Sequence, residues 1–229
     1  MPAKSTPKRP PAAAPEFRRR LLRWFRKHGR DLPWRRTRDP YAVLVSEFML
    51  QQTQVSRVES YWPRFLARFP TVDALARARP SSVRESWEGL GYYRRAANLH
   101  KLAQVITDEQ DGRIPSGTEA LRRLPGIGRY TAGAVASFAF ERAEPAVDTN
   151  VARVLRRAFH PRARGAAGER RLWETAAGLH TRHGHSAWAF NQSIMELGAL
   201  ICTARVAKCG ECPVRKACKT GRKGLRTED

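Results

Sequence analysis

All four cysteines of the 229-residue chain fall within seventeen residues near its C-terminus, as Cys202-x6-Cys209-x2-Cys212-x5-Cys218. Cysteines this crowded cannot staple distant parts of a fold, and in a reducing compartment they would not pair as disulfides. Cysteines used only for packing would be scattered along the sequence. Gathered thiolates are metal ligands, and both zinc and an iron–sulfur group accept four of them. The C-terminal segment is therefore expected to fold around an inorganic group that it holds through sulfur.

Charge constrains the remainder. Lys and Arg number 43 against 21 Asp and Glu, a formal net charge of +22. Such an excess opposes compaction by self-repulsion and predicts a polyanionic partner. The cations are spread along the whole chain, which points to nucleic acid rather than to a lipid surface. No apolar run approaches the ~18–20 residues that span a bilayer. Met1 to Pro15 is mostly Pro, Ala, Lys and Ser, so it lacks the apolar core of a signal peptide and reads as a disordered basic tail. The expectation is an intracellular, monomeric protein, cytoplasmic or nucleoid-associated, with no membrane partner.

From Glu16 onward the apolar spacing is helical. Phe17, Leu21, Leu22, Trp24 and Phe25 share a stripe that Gly29 stops. Asp39-Pro40 reads as a cap and first-turn proline for a helix carrying Val43 to Leu50. Further helices are expected from Tyr61 to Phe69, after Thr71 and Pro80, from Arg94 to Thr107, from Tyr130 to Phe140, and in three segments between Asn150 and Leu200. No alternating strand pattern of useful length occurs, and the fold class is all-α.

Two loops carry candidate chemistry. Leu124-Pro-Gly-Ile-Gly-Arg-Tyr-Thr131 lies between two helices, where Gly126 and Gly128 allow positive φ and present backbone N–H groups at a helix N-terminus. Such a nest holds a phosphate without reading a base, and Arg129 adds charge beside it. This is the pattern of a helix-hairpin-helix clamp. Downstream, Ala146-Val-Asp-Thr-Asn-Val151 places Asp148 as the one acid between Glu144 and Glu169. By itself Asp148, immediately before Thr149-Asn150, reads first as a helix cap.

Taken together, the hairpin turn, the Val147-Asp148 loop and the cysteine spacing resemble the endonuclease III and MutY branch of the DNA glycosylases, over nearly everything from Phe17 to Cys218. The family pattern implies that Cys202, Cys209, Cys212 and Cys218 ligate a [4Fe–4S] cluster of structural rather than catalytic role. Zinc is the alternative, although zinc modules usually show two Cys-x2-Cys pairs and only one exists here. Arg205, Lys208, Arg215, Lys216, Lys219, Arg222 and Lys223 bracket the cysteines and would face the DNA backbone. The resemblance implies a two-lobed fold, with residues 41–150 as the lobe bearing the hairpin. Residues 16–40 and 151–229 form the second.

Leu32-Pro-Trp-Arg35, Ser46-Glu-Phe-Met-Leu-Gln-Gln-Thr-Gln54 and Gly89-Leu-Gly-Tyr-Tyr93 are similar to the adenine-excising, MutY-like members. Endonuclease III-like enzymes carry a lysine at the Tyr130 position, whose amine attacks the sugar as a Schiff base. Tyr130 cannot, which implies base removal alone. The implied chemistry is hydrolysis of an adenine N-glycosidic bond, the adenine being mispaired with guanine or 8-oxoguanine. Glu47, among apolar helix neighbours, would protonate the leaving base. Asp148 would stabilise the sugar cation, with a transient adduct possible by analogy with retaining glycosidases. Tyr130 and Asn150 would orient Asp148 and the water. Gln52 with Leu50 resembles the wedge that enters the duplex, Tyr92 the residue stacked beside the opposite purine, and Trp34 and Arg35 contacts to the flipped base or its strand. Gly126, Gly128, Arg129 and Thr131 would hold the backbone.

The loop departs from the pattern at Asp148-Thr149-Asn150, where adenine glycosylases usually place Gly in the middle. The sequence also ends eleven residues after Cys218, where members recognising 8-oxoguanine carry a further domain, so a chain lacking that domain is expected. Thymine/uracil mismatch glycosylases, short in the same way and also bearing Tyr at the Tyr130 position, are the runner-up. A non-catalytic, metal-containing nucleic-acid-binding module is a remote third reading.

Overall fold

The structure, a computed structural model, describes residues 11–180 and 184–223. Residues 1–10 of the expected tail lie outside the described residues. Met1–Arg30 with Glu141–Asp229 form one compact unit, and Asp31–Phe140 form a second, inserted one. The seams fall slightly N-terminal of positions 40 and 150. The Leu32–Arg35 segment packs with the inserted unit, where Trp34 lies edge-on to Trp62 at 6.3 Å.

In chain order the helices are α1 (Ala14–His28), α2 (Pro40–Leu50), α3 (Val55–Arg68), α4 (Val72–Ala76), α5 (Pro80–Ser86), α6 (Arg94–Gln110), α7 (Thr118–Arg123), α8 (Arg129–Phe138), α9 (Thr149–Phe159), α10 (Gly165–Leu179), α11 (Gly184–Leu200) and α12 (Lys219–Lys223). No strand occurs among the described residues, so the all-α expectation holds. No helix among them is long and apolar enough to cross a membrane. Helix α1 begins at Ala14, inside the segment read as tail, because Pro15 sits in its first turn and Ala14 and Phe17 are buried.

The inserted unit is built round α2. The Asp39 carboxylate accepts the N–H groups of Tyr41 (3.1 Å) and Ala42 (3.3 Å), and Pro40 supplies the first turn. Every residue from Tyr41 to Met49 is buried, so α2 is enclosed on all sides. Helix α8 packs on it, and Ala132, Gly133, Ala134 and Ala136 let the backbones approach. Phe65, Phe69 and Trp87 close the far side, Phe65 lying 5.7 Å from Trp87 edge-on.

The other unit gathers Phe17 and Leu21 of α1, Val154 and Phe159 of α9, Leu172 of α10, and Ile194 and Leu197 of α11 into one core. Cys202, Cys212 and Cys218 pack against its edge. Glu196 of α11, fully buried, accepts the Arg30 backbone N–H (3.0 Å), Nε (2.7 Å) and Nη2 (3.1 Å), which fixes the end of the α1 segment. Phe17 lies 5.0 Å from Phe159 at full burial. Phe17→Ala is expected to lower the unfolding free energy by about 3–5 kcal/mol in urea titration. A loss under about 1 kcal/mol would show that this contact does not join α1 to α9.

Candidate functional site

Glu47 sits in the middle of α2 at 4% exposure, flanked by Ser46 and Phe48. Helix α2 ends at Leu50, half-buried, and the chain then turns through Gln52, which is exposed and left-handed at φ 55°.

A second irregular segment, Glu88–Tyr93, has Gly89 (φ 89°), Gly91 (φ 72°) and Tyr92 (φ 47°) all in the left-handed region. Its carbonyls point inward to donors: Arg57 Nη1 to Gly89 (2.6 Å) and Trp87 Nε1 to Gly91 (3.2 Å). The Tyr92 side chain is 60% exposed. Arg95, buried in the first turn of α6, reaches both irregular segments and is one of the residues that sequence reasoning missed. The signal was present, because Arg95, Leu99, Leu102 and Ile106 share one face of α6 and all are buried.

In the hairpin, Leu124 and Ile127 are buried and anchor the turn, while Gly126, Gly128 and Arg129 are exposed. Gly126 is left-handed (φ 78°), with Phe48 and Asn98 3.5 Å from where a Cβ would stand. Gly128 corrects the sequence reading, for its φ of −83° is extended rather than positive. It serves as the N-cap of α8 with no side-chain cap. Nothing lies within 4 Å of where a Cβ would stand at Gly128, so a ligand can approach the backbone there. Thr131 is buried, Tyr130 half-buried. Trp34 is buried, while Arg35 beside it is partly exposed.

Asp148 lies in the other unit, as the N-cap of α9. Its Oδ1 accepts the Val151 N–H at 2.6 Å and its Oδ2 the Asn150 amide at 3.2 Å. Burial pushes its carboxyl above the usual aspartate range, and the bonds from Val151 and Asn150 and the charge of Arg153 pull against that shift. Asn150 is held in turn by Arg153, whose Nη2 bonds to Asn150 Oδ1 (2.7 Å) and the Gly198 carbonyl (2.8 Å) and whose Nε bonds to the Cys202 carbonyl (2.8 Å). A Cβ at Gly198 would stand 2.8 Å from Asn150 Cβ, so only glycine lets α11 pass this close. Upstream, Asn191 of α11, 1% exposed, accepts the Ala146 N–H (3.2 Å) and donates to the Glu144 carbonyl (2.9 Å). Neither Arg153 nor Asn191 was singled out from sequence. Asn191 follows Phe190 on the face that carries Ala187 and Ile194, which is its one sequence signal.

All four cysteines line one cavity with Phe17, Val154, Leu197 and Val214. Arg157 Nη1 donates to Cys202 Sγ (3.4 Å) and the Thr203 carbonyl (2.7 Å), and the Gly221 N–H donates to Cys218 Sγ (3.3 Å). Burial pushes the Cys212 thiol up to about 11 and raises Cys209 and Cys218. No three His, Cys, Asp or Glu side chains among the described residues are gathered to hold a single metal ion. The seven cations that bracket the cysteines, Arg205 to Lys223, are all exposed.

The family signature described as HhH-GPD superfamily base excision DNA repair protein matches residues 45–176. The chain is 49% identical to an adenine DNA glycosylase of Mycolicibacterium smegmatis over 85% of its own length and 66% of that protein's. It is 44% identical to the adenine DNA glycosylase of Homo sapiens over 89% of its own length and 39% of that protein's. The chain thus spans less than two thirds of these relatives. Among solved structures, a thermostable thymine-DNA glycosylase superposes with a TM-score of 0.84 at 30% identity, covering 93% of this chain and 98% of that one. A trapped endonuclease III–DNA covalent intermediate gives 0.76 at 25% identity, covering 91% and 95%.

The Asp148 environment makes a titration testable. Its ¹³C carboxyl resonance is expected to titrate above the ordinary aspartate value near 3.9. Arg153→Gln removes a charge that lowers the Asp148 pKa, so the midpoint should move further up. A midpoint that stays put or falls would show that Arg153 does not act on Asp148.

Proposed function

The chain belongs to the HhH-GPD superfamily of base excision DNA repair proteins, and we propose that it is a DNA glycosylase that hydrolyses the N-glycosidic bond of adenine mispaired with guanine or 8-oxoguanine. What carries this reading is Asp148, a carboxylate held by two N–H donors at a helix N-terminus, in a chain 49% identical to an adenine DNA glycosylase.

The base must leave the stack before its bond can be reached, at a few kcal/mol. Leu50 and Gln52 enter the duplex in its place, and Tyr92 stacks beside the opposite purine. Gly126, Gly128, Arg129 and Thr131 hold a phosphate at the N-terminus of α8, and Trp34 backs Arg35 against the strand. Glu47, buried in the middle of α2, gives its proton to N7 of adenine, so the base departs neutral. General acid catalysis of this kind contributes about 10²–10⁴-fold. The C1′–N9 electron pair leaves with the base and the sugar becomes an oxocarbenium ion. Asp148 stabilises that cation, by charge or by a transient adduct on the same face. Water then completes the hydrolysis, oriented with Asp148 by Tyr130 and Asn150. Tyr130 has no amine to offer the sugar, so strand cleavage does not follow.

Cys202, Cys209, Cys212 and Cys218, gathered on one cavity, would hold a [4Fe–4S] cluster. A single zinc ion is the alternative, although only one Cys-x2-Cys pair occurs here. Buried thiolates without a metal cation would be costly, which the upward shifts of Cys209, Cys212 and Cys218 express. Held by Cys202, Cys209, Cys212 and Cys218, a bound cluster would tie residues 202–218 together. The exposed cations around it then meet the DNA backbone. The protein acts as a monomer inside the cell, where thiols stay reduced.

The superposition on thymine-DNA glycosylase favours a second reading, thymine or uracil opposite guanine. Duplexes with A opposite G, A opposite 8-oxoguanine, T opposite G and U opposite G separate the two. After alkali the adenine strand alone is expected to break, and without alkali no strand should. Release of thymine or uracil in preference to adenine would replace the proposal with the second reading.

A further inference from the structure

Arg95 is 8% exposed, and both terminal nitrogens of its guanidinium bond to backbone and hydroxyl oxygens of two segments. Its Nη1 donates to the carbonyls of Phe48 (3.0 Å), Met49 (2.8 Å) and Gln51 at the end of α2. Those carbonyls have no partner within the helix. Its Nη2 donates to Thr53 Oγ1 (2.9 Å) and to the carbonyls of Leu90 (3.2 Å) and Gly91 (3.1 Å). The guanidinium carbon lies 5.5 Å from the ring centroids of both Trp87 and Tyr92. Each bonded segment contains a residue other than glycine in the left-handed region, Gln52 in one and Tyr92 in the other. Such conformations persist only where the surroundings over-determine them.

We propose that Arg95 is a positioning residue that holds Gln52 and Tyr92 together in the backbone conformation in which they meet the duplex. The proposal rests on the duplex contacts assigned to those two residues above. One planar fork spans both segments, so they are set as a pair. A lysine ammonium, a single point with three donors, reaches one group of oxygens but not both. The consequence is specific. Wedge and stacking platform act on the opening of the duplex, so Arg95 matters where adenine begins stacked and much less where it is already unstacked.

Single-turnover excision from two substrates tests this: adenine opposite guanine in a fully paired duplex, and the same pair inside a short mismatched bubble. Rate constants are taken from the exponential phase, so that an unfolded fraction lowers the amplitude and not the rate. Arg95→Met is expected to slow the paired substrate about 100-fold, the scale of a small misplacement, and the bubble less than about 5-fold. Arg95→Lys should fall between wild type and Arg95→Met on the paired duplex alone, and it carries the comparison if Arg95→Met does not fold. Equal losses on both substrates, or no loss on either, would overturn the proposal. If wild type releases adenine from neither substrate, the proposed activity itself is overturned together with this role. Wild-type release from both, with variants unaffected, overturns only the role of Arg95.

Discussion

Guanidinium groups bonded to backbone carbonyls hold several of the irregular segments that bear on function here. Arg95 gathers the end of α2 and the Leu90–Gly91 turn, and Arg57 takes the Gly89 carbonyl. Arg153 joins Asn150 to the Gly198 and Cys202 carbonyls, and Arg157 binds the Thr203 and Ala204 carbonyls. Loop carbonyls removed from water must be bonded to something. An arginine offers five donors in a rigid fork and is more weakly hydrated than lysine, so it serves several carbonyls at once. The chain's charge of +22 is thus of two kinds. Exposed cations such as those around the cysteines raise the field outside, while a few inward ones fix backbone that no helix or strand could fix.

The two carboxyls proposed for catalysis stand in contrasting surroundings. Glu47 is buried in the middle of α2, whereas Asp148 caps α9, with two N–H donors and a nearby Arg153. The same geometry explains why the helix-cap reading of Asp148 and the catalytic one do not compete. Capping is what holds the carboxylate still, and a group that must meet a developing cation gains from being held.

Much of this was legible in the sequence because it is local. Asp39 with Pro40, Thr71 before α4, and the buried Leu124 and Ile127 around the hairpin are features of a few adjacent residues, and each stands where spacing placed it. The cysteine spacing likewise brings all four thiols to one cavity. What escaped was long-range. Arg95 reads as one of two surface arginines until its acceptors 44 to 47 residues away are known. Asn191 holds the approach to Asp148 across 45 residues of sequence. Gly128 misled because glycine permits positive φ without requiring it, and here the helix start demanded an extended residue.

The chemistry assigned to Asp148 is decided by one substitution. Asp148→Asn keeps the shape and still accepts the Val151 N–H, so α9 stays capped, but the anion is gone. Single-turnover adenine excision is compared with mismatched-duplex affinity for the same preparation. The variant is expected to bind within about threefold of wild type and to lose at least about three orders of magnitude in rate, as when a preorganised charge is deleted. An Asp148→Asn protein that excises adenine at the wild-type rate would reduce Asp148 to a cap and contradict the mechanism.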